Sequence, residues 1–242
     1  KKRNKEKRRK EKTRRKEKRK SMNRQCALED ISDGRLYTEN DMVKVDTGGC
    51  RDCAITCCQG MDKTIILDPY DVHRLCLNLH CSLEQLLNGK IEINIVDGLM
   101  LPNIKMAQDT NCCSFLSTDN RCTIHQARPS VCRLFPLGRF WEDEEHFKYI
   151  VQKGQCHKSN LTKIKVKKWI DADNSSNYKN FLIEWHKYVR KMQKTIADIV
   201  SKPDFDSDAV KKCCMSILQN FYMIRYDSDE EFYQEFQNKI KE

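Results

Sequence analysis

The stretch Gly48-Gly49-Cys50-Arg51-Asp52-Cys53-Ala54-Ile55-Thr56-Cys57-Cys58-Gln59-Gly60 holds four of the 14 cysteines of the chain, in the spacing C-x-x-C-x-x-x-C-C. Thiolates at this density bind borderline or soft metal ions: a C-x-x-C turn converges two sulfurs on one ion while backbone N–H groups of the turn point at them. The flanking glycines permit the left-handed turns that this needs. Neighbouring side chains are expected to diverge, so Cys57 and Cys58 read either as one ligand and one packing thiol or as ligands of two sites.

A second block runs Asn111-Cys112-Cys113-Ser114-Phe115-Leu116, then Cys122-Thr123-Ile124-His125-Gln126-Ala127-Arg128-Pro129-Ser130-Val131-Cys132-Arg133-Leu134-Phe135-Pro136. The patterns C-x-F-L and C-x-I-x-x-x-R-P-x-x-C-R-x-F-P, following C-x-x-C-x-x-x-C-C, resemble the YkgJ-type cysteine-cluster family, whose domain is described as chelating zinc or iron. The resemblance covers about residues 48–158, and R-P-x-x-C-R-x-F-P is its most specific part. It implies a ligand set of Cys50, Cys53, Cys57, Cys58, Cys113, Cys122, Cys132 and Cys156. Two positions depart from the family pattern: Cys112 is an extra neighbour of Cys113, and His125 stands where an aromatic residue is usual and reads as a packing residue.

Thiolate ligation leaves negative charge that needs cations and N–H donors around it. Arg51, Arg121, Arg128 and Arg133 flank the candidate ligands and could supply them, while Pro129 and Pro136 bracket the Cys132 turn. All-thiolate sites suit zinc and iron-sulfur clusters alike. The nearby Phe115, Phe135, Phe140 and Trp141 could shield a cluster from water, so a [4Fe-4S] centre is the expectation and zinc the alternative. Two other functions compete with simple chelation. One is a cluster-dependent protein-modifying enzyme, because a related domain occurs in flagellin lysine methylases. The other is a structural zinc module carrying a basic nucleic-acid-binding tail. No Gly-rich phosphate or dinucleotide loop is present, which weakens the enzyme.

The elements that must position these residues read as α+β, a metal-organised core of short helices and β-hairpins followed by a helical C-terminal region. Residues 1–24 are expected to be a basic tail, 25–160 the cysteine-cluster domain and 161–242 the helical region packed on it. Residues 1–20 carry 15 Lys/Arg and 3 Glu, a net of +12, which leaves −2 on the rest of a chain of net charge +10. The tail has no aromatic residue to stack on bases, so a solubilising extension is preferred to attachment to nucleic acid or an anionic surface. No apolar run approaches the roughly 20 residues of a membrane span and no signal-like segment occurs, so a cytoplasmic protein is expected, with clustered cysteines serving a metal rather than disulfides.

Residues 22–47 read as an irregular lead-in. Asp68-Pro69 opens a helix with Val72, Leu75, Cys76 and Leu79 on one face, which assigns Cys76 to core packing. His80 and Cys81 fall in the connection to a second helix that Ser82 caps and Gly89 ends. Ile91–Val96 and Leu99–Ile104 alternate around Asp97-Gly98 as a hairpin. Residues 139–151 form another around Glu142–Glu145. Phe181, Trp185, Tyr188, Val189, Met192, Ile196 and Ile199 mark a long amphipathic helix. Helices over 203–226 and 229–240 follow it, and in the first of them Cys213 and Cys214 read as core residues.

Overall fold

The computed structural model describes residues 27–46, 56–155, 161–170 and 175–241. The basic tail therefore lies outside the described residues, as do Cys50, Arg51, Cys53 and Cys156.

Eight helices and three two-stranded antiparallel sheets make up the described residues, an α+β fold. In chain order they are α1 (Leu28–Ile31), β1 (Met42–Val45), a 3-10 turn at Thr56–Cys58, α2 (Pro69–Leu79), α3 (Leu83–Leu87), β2 (Ile91–Val96), β3 (Leu99–Ile104), α4 (Ser130–Leu134), β4 (Leu137–Trp141), β5 (Phe147–Val151), β6 (Thr162–Lys165), α5 (Val166–Ile170), α6 (Ser175–Ser201), α7 (Ser207–Phe221) and α8 (Asp229–Lys239).

The expected hairpins form. β2 pairs with β3 from Ile91↔Ile104 to Val96↔Leu99, and the two-residue turn places Asp97 and Gly98 at φ 47° and 89°, the positive angles that Asp-Gly supplies most cheaply. Residues 65–67 run alongside β3, with Ile104 N–H donating to the Ile65 carbonyl (3.0 Å) and Leu67 N–H to Pro102 (2.9 Å). β4 and β5 pair from Leu137↔Val151 to Trp141↔Phe147.

The irregular lead-in is a correction. Met42–Val45 is a strand, paired antiparallel with β6 from Met42↔Lys165 to Val45↔Thr162. Four residues give too short an alternation to read, and the partner lies more than a hundred residues away. The helix expected from Pro203 begins at Ser207, where the Asp206 side chain accepts from Asp208 N–H and so satisfies one of the free donors of the first turn.

Two apolar clusters hold these elements. The larger joins Ile65, Leu75, Leu83, Ile91, Leu99 and Ile104 to the C-terminal helices through Phe181, Trp185, Ile217, Phe221, Phe232 and Phe236. Asp229, at the start of α8, ties it to α2 by accepting from Tyr70 Oη (2.9 Å) and bonding His73 Nε2 (3.0 Å). The smaller unites Val43, Val45, Leu134, Leu137, Tyr149, Val166 and Ile170. Helix α4 touches both, since Cys132 packs on the larger cluster and Leu134 belongs to the smaller.

Asp71, 1% exposed, secures α4. Its Oδ1 accepts from Ser130 N–H (2.7 Å) and its Oδ2 from Ser130 Oγ (3.3 Å), while it also closes a capping box with Asp68. Arg133, buried at 6% exposure, lies over the Tyr178 ring at 5.3 Å, and its charge opposes the upward push that burial gives the Asp71 carboxyl. At the other end of α4, Trp169 Nε1 donates to the Leu134 carbonyl (3.0 Å).

Removing the Asp71 carboxylate strands the buried Ser130 N–H and leaves Arg133 without its counter-charge. Asp71→Ala is therefore expected to destabilise the protein by about 2–4 kcal/mol in urea unfolding, with Asp71→Asn losing less.

Candidate metal centre

The two cysteine blocks are joined by backbone before any side chain is considered. Cys113 N–H donates to the Cys58 carbonyl at 2.7 Å and Gly60 N–H to Asn111 at 2.9 Å, and an isolated antiparallel bridge pairs Gln59 with Cys112. Gly60 follows the knuckle at φ 71°, the left-handed conformation expected of a flanking glycine. Further bridges link Met106 to Cys113 and Leu116 to Cys122. The hairpin carrying Cys122 closes with Ser117 N–H on the Arg121 carbonyl (2.8 Å) and with Asn120 at φ 56°. Cys132 arrives on α4, between Pro129 and Pro136.

Five of the expected ligands, Cys57, Cys58, Cys113, Cys122 and Cys132, line one cavity of about 70 Å³. Ile104, Leu116, Ile124 and Pro129 supply its apolar wall, and Asn120, Arg121, His125 and Arg128 its polar margin. Of the Cys112 and Cys113 neighbours, only Cys113 lines it; the Cys112 thiol turns to the Thr110 carbonyl at 3.6 Å. Cys50, Cys53 and Cys156 lie outside the described residues. Among the described residues no group of three His, Cys, Asp or Glu side chains is close enough together to hold an ion.

The adjacent pair does not diverge as expected. The 3-10 turn at Thr56–Cys58 leaves the Cys57 and Cys58 sulfurs 3.7 Å apart, both at the cavity. The Cys58 S–H beside it holds the Cys57 thiol down at about 7, against burial and with help from the Arg128 charge. Cys58 is correspondingly pushed far up, first by that hydrogen bond and then by burial. Burial is the main cause for the other three, raising Cys113, Cys122 and Cys132; the Phe115 N–H opposes it at Cys113 and the Ile124 N–H and Arg128 oppose it at Cys122. His125 is exposed at the margin, not packed, with its pKa lowered by partial burial and by Arg128 and Arg121.

Other expected neighbours are elsewhere. Arg133 faces Tyr178 and Asp71 and is not part of the wall, whereas Arg128 is, its Nε donating to the His125 carbonyl at 3.1 Å. None of Phe115, Phe135, Phe140 or Trp141 lines the cavity: Phe115 is buried in the larger core and Trp141 stacks on His186 at 3.7 Å. Cys214 is buried at 2% exposure, as a core residue should be, and Cys213 is half-buried. The one trace of Asp71 in the sequence is its place three residues after the Asp68 cap, where it closes the capping box; its bond to Ser130 is long-range.

A family model described as "Putative zinc- or iron-chelating domain", with the designation CxxCxxCC, matches residues 49–169. The chain carries one residue more than that designation between its second and third cysteines, at Ala54-Ile55-Thr56. No curated protein and no solved structure matches the chain.

These thiols set the pH dependence. Cys58, Cys113, Cys122 and Cys132, raised above the ordinary thiol value, keep their protons near neutrality in the metal-free fold, so an ion must displace them. Apparent zinc affinity is therefore expected to fall about tenfold per pH unit for each proton released as pH drops from 8 to 6. Calorimetric titration in buffers of different ionisation enthalpy checks this; a pH-independent affinity would contradict it.

Proposed function

The chain belongs to the cysteine-cluster family of zinc- or iron-chelating domains, and from that premise we propose that it holds a single zinc or iron ion in a thiolate site. The ligands are drawn from Cys57, Cys58, Cys113, Cys122 and Cys132, with Cys50, Cys53 and Cys156 completing the candidate set. One observation carries this reading: the 3.7 Å separation of the Cys57 and Cys58 sulfurs. Two thiolates bound at about 2.3 Å to one tetrahedral ion stand roughly 3.8 Å apart. In a [4Fe-4S] cluster each iron takes one thiolate, so sulfurs on different irons stand farther apart.

The donor set suits the ion. Several half-buried thiols that resist ionisation become good ligands once a cation replaces their protons, and Arg128 offsets part of the remaining negative charge. The chain's own residues supply five thiols on one cavity, an aliphatic wall and a cationic margin. A bound ion would tie the two cysteine blocks and α4 together.

An iron-sulfur cluster is the second reading, favoured by the number of candidate thiols and by the apolar wall. The aromatic shielding that first suggested it has no counterpart among the described residues of the cavity. Clustered cysteines at metal-ligand spacing fit a reducing compartment such as the cytoplasm, and no helix of the described residues is long and apolar enough to cross a membrane. Residues 1–24 fit a solubilising extension better than a base-stacking arm, because they lack aromatics.

Metal and acid-labile sulfide analysis of anaerobically purified protein tests the proposal. One zinc or iron per chain without sulfide is expected. Cys53→Ser, Cys58→Ser and Cys132→Ser should each lower metal affinity at least about tenfold, while Cys214→Ser retains it. Sulfide equal to iron would favour the cluster, and equal metal loss in all four variants would overturn the division between ligand and core thiols.

A further inference from the structure

A second pair of thiols lies away from the metal cavity, where α2 ends. His80 takes the left-handed conformation there (φ 51°, ψ 42°), and both its N–H and that of Cys81 (3.1 Å) donate to the Cys76 carbonyl. This is a Schellman-type helix end, in which the residue after the left-handed turn folds back onto the last turn of the helix, normally through an apolar contact. Both partners of that contact are cysteines here, and their side chains interact. Cys76 and Cys81 also line a small cavity of about 30 Å³ together with His73 and Arg225, and both remain half-buried rather than sealed in the core.

We infer that Cys76 and Cys81 are an oxidisable dithiol, a modification site separate from the metal centre that closes to a disulfide on reaction with a peroxide. The two thiols have different roles. Cys76 is the more deeply set, and burial pushes it up to about 12. Burial raises Cys81 as well, opposed in part by the Cys76 thiol and the Arg225 charge, and Cys81 is the less deeply set of the two and the one a peroxide reaches first. Its thiolate attacks one peroxide oxygen, the O–O bond breaks, and a sulfenic acid forms while the departing oxygen leaves as water. Cys76 sulfur then attacks the Cys81 sulfur, the S–O bond breaks, and the hydroxyl leaves with the Cys76 proton as a second water. Two thiols have lost two electrons and one peroxide has gained them. The helix end, with Cys81 N–H on the Cys76 carbonyl and both side chains on one cavity, sets the attacking and attacked residues side by side on the same turn, so the second step is local to the end of α2.

Peptide mapping of the full chain tests this. Trypsin cleaves after Arg74 and Lys90 and leaves both cysteines in one peptide. After treatment of the reduced protein with hydrogen peroxide and alkylation of the remaining thiols, that peptide is expected two hydrogens lighter and unalkylated in most molecules, and dithiothreitol should restore double alkylation. In Cys81→Ser the same peptide should carry one alkyl group on Cys76 whether or not peroxide is added. Double alkylation after peroxide in the wild-type chain, Cys81 recovered as sulfinic acid, or either cysteine bonded to a third would overturn the inference.

Discussion

Several thiols share one small cavity whose wall is largely aliphatic, and thiols in such a place do not give up their protons unless a cation takes the protons' place. Burial raises Cys113, Cys122 and Cys132, and among the described residues the only thiol lowered, Cys57, is lowered by a neighbouring S–H that is itself raised. The guanidinium groups of Arg121 and Arg128 at the cavity margin cannot balance more than a fraction of the charge that full ionisation would create. A divalent or trivalent metal ion can, and the chemistry of its ligands then becomes the energetic reason for gathering them.

The fold brings the cysteine-bearing segments to one cavity mainly by backbone. Cys113 N–H on the Cys58 carbonyl joins segments far apart in sequence, and the Leu116↔Cys122 bridge closes a local hairpin, neither using a side chain. The exception is α4, a helix of five residues that could not hold itself. It is secured from outside by the buried Asp71 carboxylate on Ser130 and by Trp169 on Leu134. Asp71 sits on α2, and α2 is held by the aromatic core of the C-terminal helices through Tyr70, His73 and Asp229. The helical region thus reaches the thiol cavity through a chain of contacts, although none of its described residues lines that cavity.

The sequence was most legible where a local rule decides the conformation. Asp68-Pro69, Ser82 with Gln85, and Asp97-Gly98 each dictate their own capping or turning, and each formed as read. The long amphipathic stripe from Phe181 to Ile196 likewise needs only helical periodicity. What failed was long-range. The β1 strand is stabilised by β6 and by the smaller core, neither of which four residues can announce. Placing Arg133 and the aromatics from their sequence neighbours failed for a related reason: consecutive residues on a helix or strand point in different directions, so Arg133 turns to Tyr178 while Cys132 turns to the cavity. At Cys57-Cys58 the same rule misled in the other direction, because a 3-10 turn swung both sulfurs to one side.

X-ray absorption at the metal edge of the isolated protein tests the central claim most directly, because it reads the atoms around the ion itself. Sulfur scatterers at about 2.3 Å and no metal–metal shell are expected. A metal–metal shell, or a first shell dominated by nitrogen and oxygen, would contradict a single ion held by converging thiolates.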